Sequence, residues 1–144
     1  MTLNNLGVLN SDTQRLNKAD EAYGEALPIY IKLAEANPGT YLPRVAMTMN
    51  NLAMLYHATE RFEAAEAWAS DAVVLLEEYW QQNPEVHRDL MAKLLQTGAV
   101  VAKARGNRAQ ACSLARRGLA AAYDAALQKN LHELIDRVCS APMD

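Results

Sequence analysis

The chain of 144 residues is 51% hydrophobic and 22% charged, a balance that excludes an intrinsically disordered protein. Its formal net charge of −3 argues against non-specific nucleic-acid binding. No apolar run reaches the roughly 18 to 20 residues of a membrane span, and the first residues lack the basic-then-apolar layout of a signal peptide.

Residues 2–9 read TLNNLGVL and residues 48–55 read TMNNLAML, a register of 46 residues. The register runs on without a gap. Thr13 answers Thr59, Arg15 answers Arg61, Ala19 answers Ala65, Ala26 answers Ala72, and Asn37-Pro38 answers Asn83-Pro84. A fixed period of this size marks a protein built of stacked repeats, each burying its apolar face on its neighbours. The first copy opens with Leu3, Leu6 and Gly7 at helical spacing. It continues with a longer stripe of Leu16, Ala19, Tyr23, Ala26, Leu27, Tyr30 and Ala34, whose steps are mainly those of one helical face. Pro28 lies inside that stripe, four residues after Gly24. It removes the N–H that would bond the Gly24 carbonyl, and its ring crowds that turn. Because the stripe continues through Tyr30 and Ala34, the sequence predicts a kink near residues 24–28 and not a helix end.

In the second copy, Thr40 or Tyr41 followed by Pro43 predicts a helix start, and Met49, Leu52, Ala53 and Tyr56 carry the first helix. Phe62, Ala65, Ala69, Ala72, Val73, Leu76 and Trp80 form the stripe of the second. Asn83-Pro84-Glu85 reads as an N-cap, a proline at the first helical position and an acid in the first turn. A third, more diverged copy places Ala99, Ala111, Ala115 and Leu119 opposite Ala53, Ala65, Ala69 and Val73, with Gly118 where Ala26 and Ala72 stand. Gly106-Asn107 ends one helix and caps the next. After Asn130, Leu131, Leu134, Ile135 and Val138 give one apolar face, read as a terminal helix that closes the stack. No segment alternates as a strand would.

Charge is uneven. Residues 61–90 hold seven acids and two bases, whereas residues 91–144 hold eight bases and four acids, enough to steer a charged partner or simply to solvate helix faces. Cys112 and Cys139 lie far apart and show no CxxC or metal-ligand spacing. Two reduced thiols in a cytoplasmic protein are the expectation.

The Leu-Gly or Leu-Ala step in each first helix, the large residue opening each second helix and the small residues at packing spacing resemble the tetratricopeptide repeat. The matching positions are Leu6, Gly7, Leu16, Ala19, Tyr23, Ala26 and Leu27, then Leu52, Ala53, Tyr56, Phe62, Ala65 and Ala72. The family's usual period is about 34 residues, so about 12 are added here, roughly three helical turns shared between two helices and a loop. The NNLA motif and long helices are similar to the kinesin-light-chain-like subgroup, common in bacterial multidomain proteins. Asn10 and Arg108 depart from the pattern, standing where an aromatic is expected. The resemblance implies an all-α fold. It is a right-handed superhelical stack of antiparallel helix pairs, an α-α solenoid with three repeats of 46 residues and a capping helix. The whole chain, 1–144, forms a single domain, with repeats at about 1–40, 41–83 and 84–129 and the cap at about 130–140.

In this family the first helices of successive repeats line a concave groove, which implies a set of candidate binding residues. They are Asn4, Asn5 and Val8 in the first copy; Met47, Asn50, Asn51, Met54 and His57 in the second; and Lys93, Gln96, Thr97, Val100 and Lys103 in the third. Ser11 and Asp12 extend the first set. A carboxamide carries both a donor and an acceptor, so it can hold the backbone of an extended peptide without reading its sequence. The same asparagines could instead bond between helices and hold the stack. Val8, Met54 and Val100 would receive apolar side chains, methionine adapting to varied shapes. Lys93 and Lys103 would meet an acidic side chain or a carboxylate terminus. Only Lys93 and Asn51 match the family's carboxylate clamp, so a true clamp is not expected.

Catalytic signals are poor. His132-Glu133 begins a HExxH-like run, but Asp136 stands where the second histidine belongs. His57 and His87 are isolated, and no phosphate loop or nucleophile elbow is present. The sequence therefore implies a non-enzymatic scaffold for a protein or peptide partner, with no cofactor or metal and no nucleic-acid or membrane partner. Self-assembly through an uncapped first repeat, or a place within a larger signalling protein, stands as the alternative.

Overall fold

A computed structural model of the chain describes residues 16–80 and 87–140. Among these residues the regular structure is entirely helical. The helices are α1 (Leu16–Ala36), α2 (Pro38–Ala58), α3 (Phe62–Trp80), α4 (Arg88–Ala104), α5 (Arg108–Ala121) and α6 (Ala125–Val138). Helices α3 and α5 open at Phe62 and Arg108, equivalent positions of the sequence register.

Local chemistry sets the helix ends. Asn37 caps α2, its side-chain oxygen accepting from the Thr40 N–H at 3.4 Å, with Pro38 at the first helical position. This corrects the expected start at Thr40 or Tyr41. Pro43 lies inside α2, one turn past its start, where it leaves the Gly39 carbonyl without its helical donor. The matching Asn83-Pro84-Glu85 falls outside the described residues. Asn107 caps α5 by accepting from the Gln110 N–H at 3.1 Å, as expected. The closing helix starts at Ala125, not near residue 130, because Asp124 accepts the Leu127 N–H at 2.9 Å and supplies an earlier cap. Helix α1 runs unbroken through Pro28.

The turns after α2 and α4 share one geometry. Glu60 and Gly106 both have positive φ, 62° and 81°. At each, the following N–H reaches back six residues inclusive, Arg61 to the Tyr56 carbonyl at 2.8 Å and Asn107 to the Ala102 carbonyl at 2.9 Å. This is the left-handed helix stop that glycine accommodates most readily. Sequence pattern exposes it at Gly106 and hides it at Glu60.

The chain divides into two compact units, one through Leu76 and one from Glu77 onward. In the first, α1 and α2 pack on one another across the single residue Asn37, and so run antiparallel. Ala19, Tyr23, Leu52 and Leu55 form a buried cluster flanked by Leu16, Leu27, Tyr56 and Trp68. Burial pushes the Tyr23 phenol up to about 12. Tyr56 donates to Asp20 at 2.8 Å while Arg61 lies 4.4 Å over its ring. Burial, then the Asp20 bond and charge, raise the Tyr56 phenol, with Arg61 opposing.

In the second unit, α5 packs against both α4 and α6. Ala99, Ala102, Ala111, Ala115, Leu134 and Val138 make one cluster, and Ala92, Ala122, Leu127 and Leu131 another. Gly118 lies in a tight contact with both neighbouring helices. A Cβ there would sit 3.1 Å from Leu131 Cδ2 and 3.3 Å from the Ala92 carbonyl oxygen. Asp89 accepts from the N–H groups of Tyr123 (2.7 Å) and Asp124 (3.0 Å), tying the start of α4 to the α5–α6 turn. Arg88 donates to the Ala121 carbonyl beside it at 3.1 Å. Arg117 pairs with Glu77 at 2.8 Å. Arg108, standing where an aromatic was expected, donates instead to the Arg137 carbonyl at 2.7 Å and caps the end of α6.

The cysteines overturn the expectation of reduced thiols. Cys112 and Cys139 form a disulfide, with Cα atoms 4.9 Å apart. Cys112 lies on the second turn of α5 and Cys139 caps α6. Antiparallel packing brings them together across 27 residues of sequence, a proximity that spacing alone does not reveal.

Candidate functional site: the open faces of α2 and α4

Helix α2 buries Val45, Ala46, Thr48, Asn50, Leu52, Ala53 and Leu55. Among the residues left open, Arg44 (exposed), Met47 and Asn51 (half-buried) and Met54 (exposed) form a strip at helical spacing. At 55%, Met54 is one of the most exposed large apolar side chains among the described residues. Asn51 makes no side-chain hydrogen bond within the described residues. Among the described residues its amide and carbonyl have no bonding partner, and Met47 and Met54 stand at neighbouring helical positions.

The adjacent Asn50 is different. It is 6% exposed. Its amide lies 3.7 Å from the Met54 sulfur, and its Oδ1 is buried without a partner. The expected pair therefore separates into one residue on the open strip and one inside it. Asn50 holds Met54 from beneath through a weak amide-to-thioether bond. His57, half-buried, packs its ring 5.6 Å from Phe62 at the α2–α3 turn and serves that turn. Thr48, unremarked by pattern reading, donates to the Arg44 carbonyl at 2.8 Å from a fully buried position.

On α4, within the second unit, Lys93 and Lys103 are exposed, whereas Gln96 and Thr97 are half-buried. Val100 is also half-buried and packs against the cluster of Ala99, Ala102, Ala111 and Ala115. It belongs partly to the core, which limits it as a receptor for a partner's side chain. Asn4, Asn5 and Val8, with Ser11 and Asp12, lie outside the described residues.

Electrostatics around α4 are set at its start. The two backbone N–H bonds from Asp124 and Tyr123 hold the Asp89 carboxyl below the usual carboxylate range, against a small opposing effect of burial and with help from Arg88 and Lys93. His87 is pushed down by burial, its Nε2 buried without a partner and its ring 5.4 Å from Tyr79.

Antiparallel helix pairs joined by short capped turns define an α-α repeat protein. A family model for the tetratricopeptide repeat matches residues 1–78, and the chain belongs to that family. No match was found among curated proteins. Among solved structures, the N-terminal domain of stress-induced protein-1 (STI-1) from C. elegans is similar at 19% identity, with a TM-score of 0.54 over 93% of this chain and 98% of that chain. At that identity the likeness shows the fold, a helical solenoid. Tetratricopeptide repeats are protein-interaction scaffolds and typically carry no catalysis, and membership of the family supports a scaffold role for this chain.

Proposed function

We propose that the chain binds a segment of a partner protein along the open strip of α2, with Asn51 holding backbone groups and Met47 and Met54 accepting apolar side chains. The observation that carries this reading is Asn51 itself. It is a half-buried carboxamide with no side-chain hydrogen bond among the described residues, set between Met47 and Met54, whereas the adjacent polar side chains Thr48 and Asn50 are buried. Half-burial supports tight contact, and the unspent donor and acceptor support recognition of main chain over sequence. Lys93 and Lys103 give α4 a positive strip suited to an acidic stretch of partner.

The test is a comparative pull-down with wild type and Asn51→Ala, followed by titration of a recovered partner segment. Loss of the carboxamide is expected to weaken binding by about 1 to 3 kcal/mol. Equal affinity at equal stability removes Asn51 from the binding account.

A second reading, self-association through the first repeat, draws on Ile29 and Leu33, exposed at 51% and 40% on one side of α1. Light scattering over a range of concentrations separates the two readings, and a strict monomer removes the second.

A further inference from the structure

A two-electron oxidant reacts with protein sulfur, cysteine thiols first and methionine thioethers next. In this chain both cysteines are joined in the Cys112–Cys139 disulfide, and no thiol is free. A hydroperoxide that reaches the protein therefore meets thioether sulfur. The described methionines differ widely in access. Met91 is 4% exposed, and Met47 and Met49 are half-buried, whereas Met54 is 55% exposed. Met1 and Met143 lie outside the described residues.

Met54 is also held in place. Asn50, one helical turn earlier, is buried and directs its amide at the Met54 sulfur, 3.7 Å away. A thioether sulfur carries two lone pairs. The Asn50 amide engages one and leaves the other for reaction. The bond is weak because a thioether is a poor acceptor, and a sulfoxide oxygen in its place is a strong one. The donor for that oxygen already stands beside it. Asn50 Oδ1 has no partner, so no bond on that side opposes a turn of the carboxamide toward the new oxygen.

We propose that Met54 is a reversible oxidation site that switches the α2 strip from apolar to polar, with Asn50 as its positioning residue. The oxidant is a hydroperoxide. The free sulfur lone pair attacks one peroxide oxygen, the S–O bond forms and the O–O bond breaks. With hydrogen peroxide, the departing hydroxide takes the proton of the transferred oxygen and leaves as water. Sulfur loses two electrons and the peroxide gains two. A methionine sulfoxide reductase reverses the step with a dithiol as reductant, which becomes a disulfide while the oxygen leaves in water. The sulfoxide is polar and chiral, and it lies three residues from Asn51. Its effect on a partner rests on the strip reading proposed above, whereas the chemistry at Met54 does not.

The test exposes the isotope-labelled full chain to dilute hydrogen peroxide and follows it by peptide mapping and NMR. Met54 is expected to gain oxygen several-fold faster than Met47, Met49 and Met91, and the side-chain N–H signals of Asn50 to move as it does. One sulfoxide epimer is expected to exceed the other by about two- to tenfold, the range of one net hydrogen bond, read by digestion with each of the two epimer-specific reductases. Asn50→Leu removes the donor and the unpartnered oxygen together at similar volume, a change that buried sites tolerate, and is expected to bring the epimer ratio near one. Met54→Leu keeps the strip apolar and is expected to lose the fast phase of oxidation. The binding probe is the partner segment recovered with wild type, made as a synthetic peptide. Oxidation is expected to weaken it by about five- to hundredfold, the effect of covering an unmatched polar group, with recovery on reduction and no response in Met54→Leu. Oxidation of Met54 no faster than that of the half-buried methionines overturns the site. Equal epimers with unmoved Asn50 signals overturn the role of Asn50. If Asn51→Ala weakens the peptide and oxidation does not, the switch fails; if neither does, it is the strip reading that fails.

Discussion

Cutting the Cys112–Cys139 disulfide is the most direct perturbation of the second unit. The bond closes a segment of 27 residues that carries most of α5 and all of α6. Constraining a loop of that length removes about 12 cal/mol/K of entropy from the unfolded chain, worth about 3.5 kcal/mol at room temperature. The folded side changes little on reduction. Helix α6 keeps Leu127, Leu131, Leu134 and Val138 buried, and Arg108 still caps its end. Urea unfolding with and without a phosphine reductant measures the difference. With a slope of about 2 kcal/mol/M, the midpoint is expected to fall by roughly 1.5 to 2 M. Mass spectrometry accompanies it, since reduction adds two hydrogen atoms. A Cys112→Ala/Cys139→Ala variant is expected to reproduce the loss and to show no further response to reductant. A midpoint that does not move while the mass does refutes the loop argument. A mass that does not move refutes the bond.

Other consequences follow from single positions. Gly118→Ala gains about 1 kcal/mol of helix propensity but overpacks against Leu131 and the fixed Ala92 carbonyl, a cost of about 1 to 3 kcal/mol. The net is a loss near 1 kcal/mol in denaturant titration, and a gain would show that α5 can move outward. Glu60→Gly relieves a side chain from positive φ at the turn where its counterpart is Gly106, and is expected to stabilise by about 0.5 to 1 kcal/mol. An unchanged melting temperature would show that the turn is already relaxed. Asp89 has a depressed folded pKa, so its stabilisation is present above the unfolded carboxylate value of about 3.9 and is lost as pH falls through the lower folded value. Asp89→Asn should flatten the acid limb of a stability-versus-pH curve, and an unaltered limb removes Asp89 as its source. His87, also depressed, carries the same sign at a higher pH. Its contribution is present above about 6.5 and declines as acid forces a proton onto the buried ring, so His87→Gln should weaken the dependence below neutrality.

Much of this architecture is legible in the chain. The register that pairs TLNNLGVL with TMNNLAML also places the starts of α3 and α5 at Phe62 and Arg108, and the apolar stripes name Ala19, Tyr23, Ala65, Ala72 and Leu76 as buried. Gly106-Asn107 announces its turn because glycine tolerates positive φ and asparagine caps. These signals are local. They depend on residues within a few positions of one another, so periodicity and capping rules reach them.

The remainder was decided where one element meets another. Asn50 and Asn51 are identical and adjacent in sequence, yet the roll of α2 on its neighbours buries the first and leaves the second open. Cys112 and Cys139 carry no spacing signal, and only the antiparallel return of α6 along α5 brings them within bonding distance. The glycine at 118 reads as a diverged alanine until Leu131 is found against it. Gly24 and Pro28, which sequence marks as a disturbance of one helix, line a cleft only because Trp68 arrives from another. Side-chain type and period fix which faces are apolar, but depth of burial and the identity of neighbours arise from packing across long stretches of chain, and these assign the roles at the candidate sites.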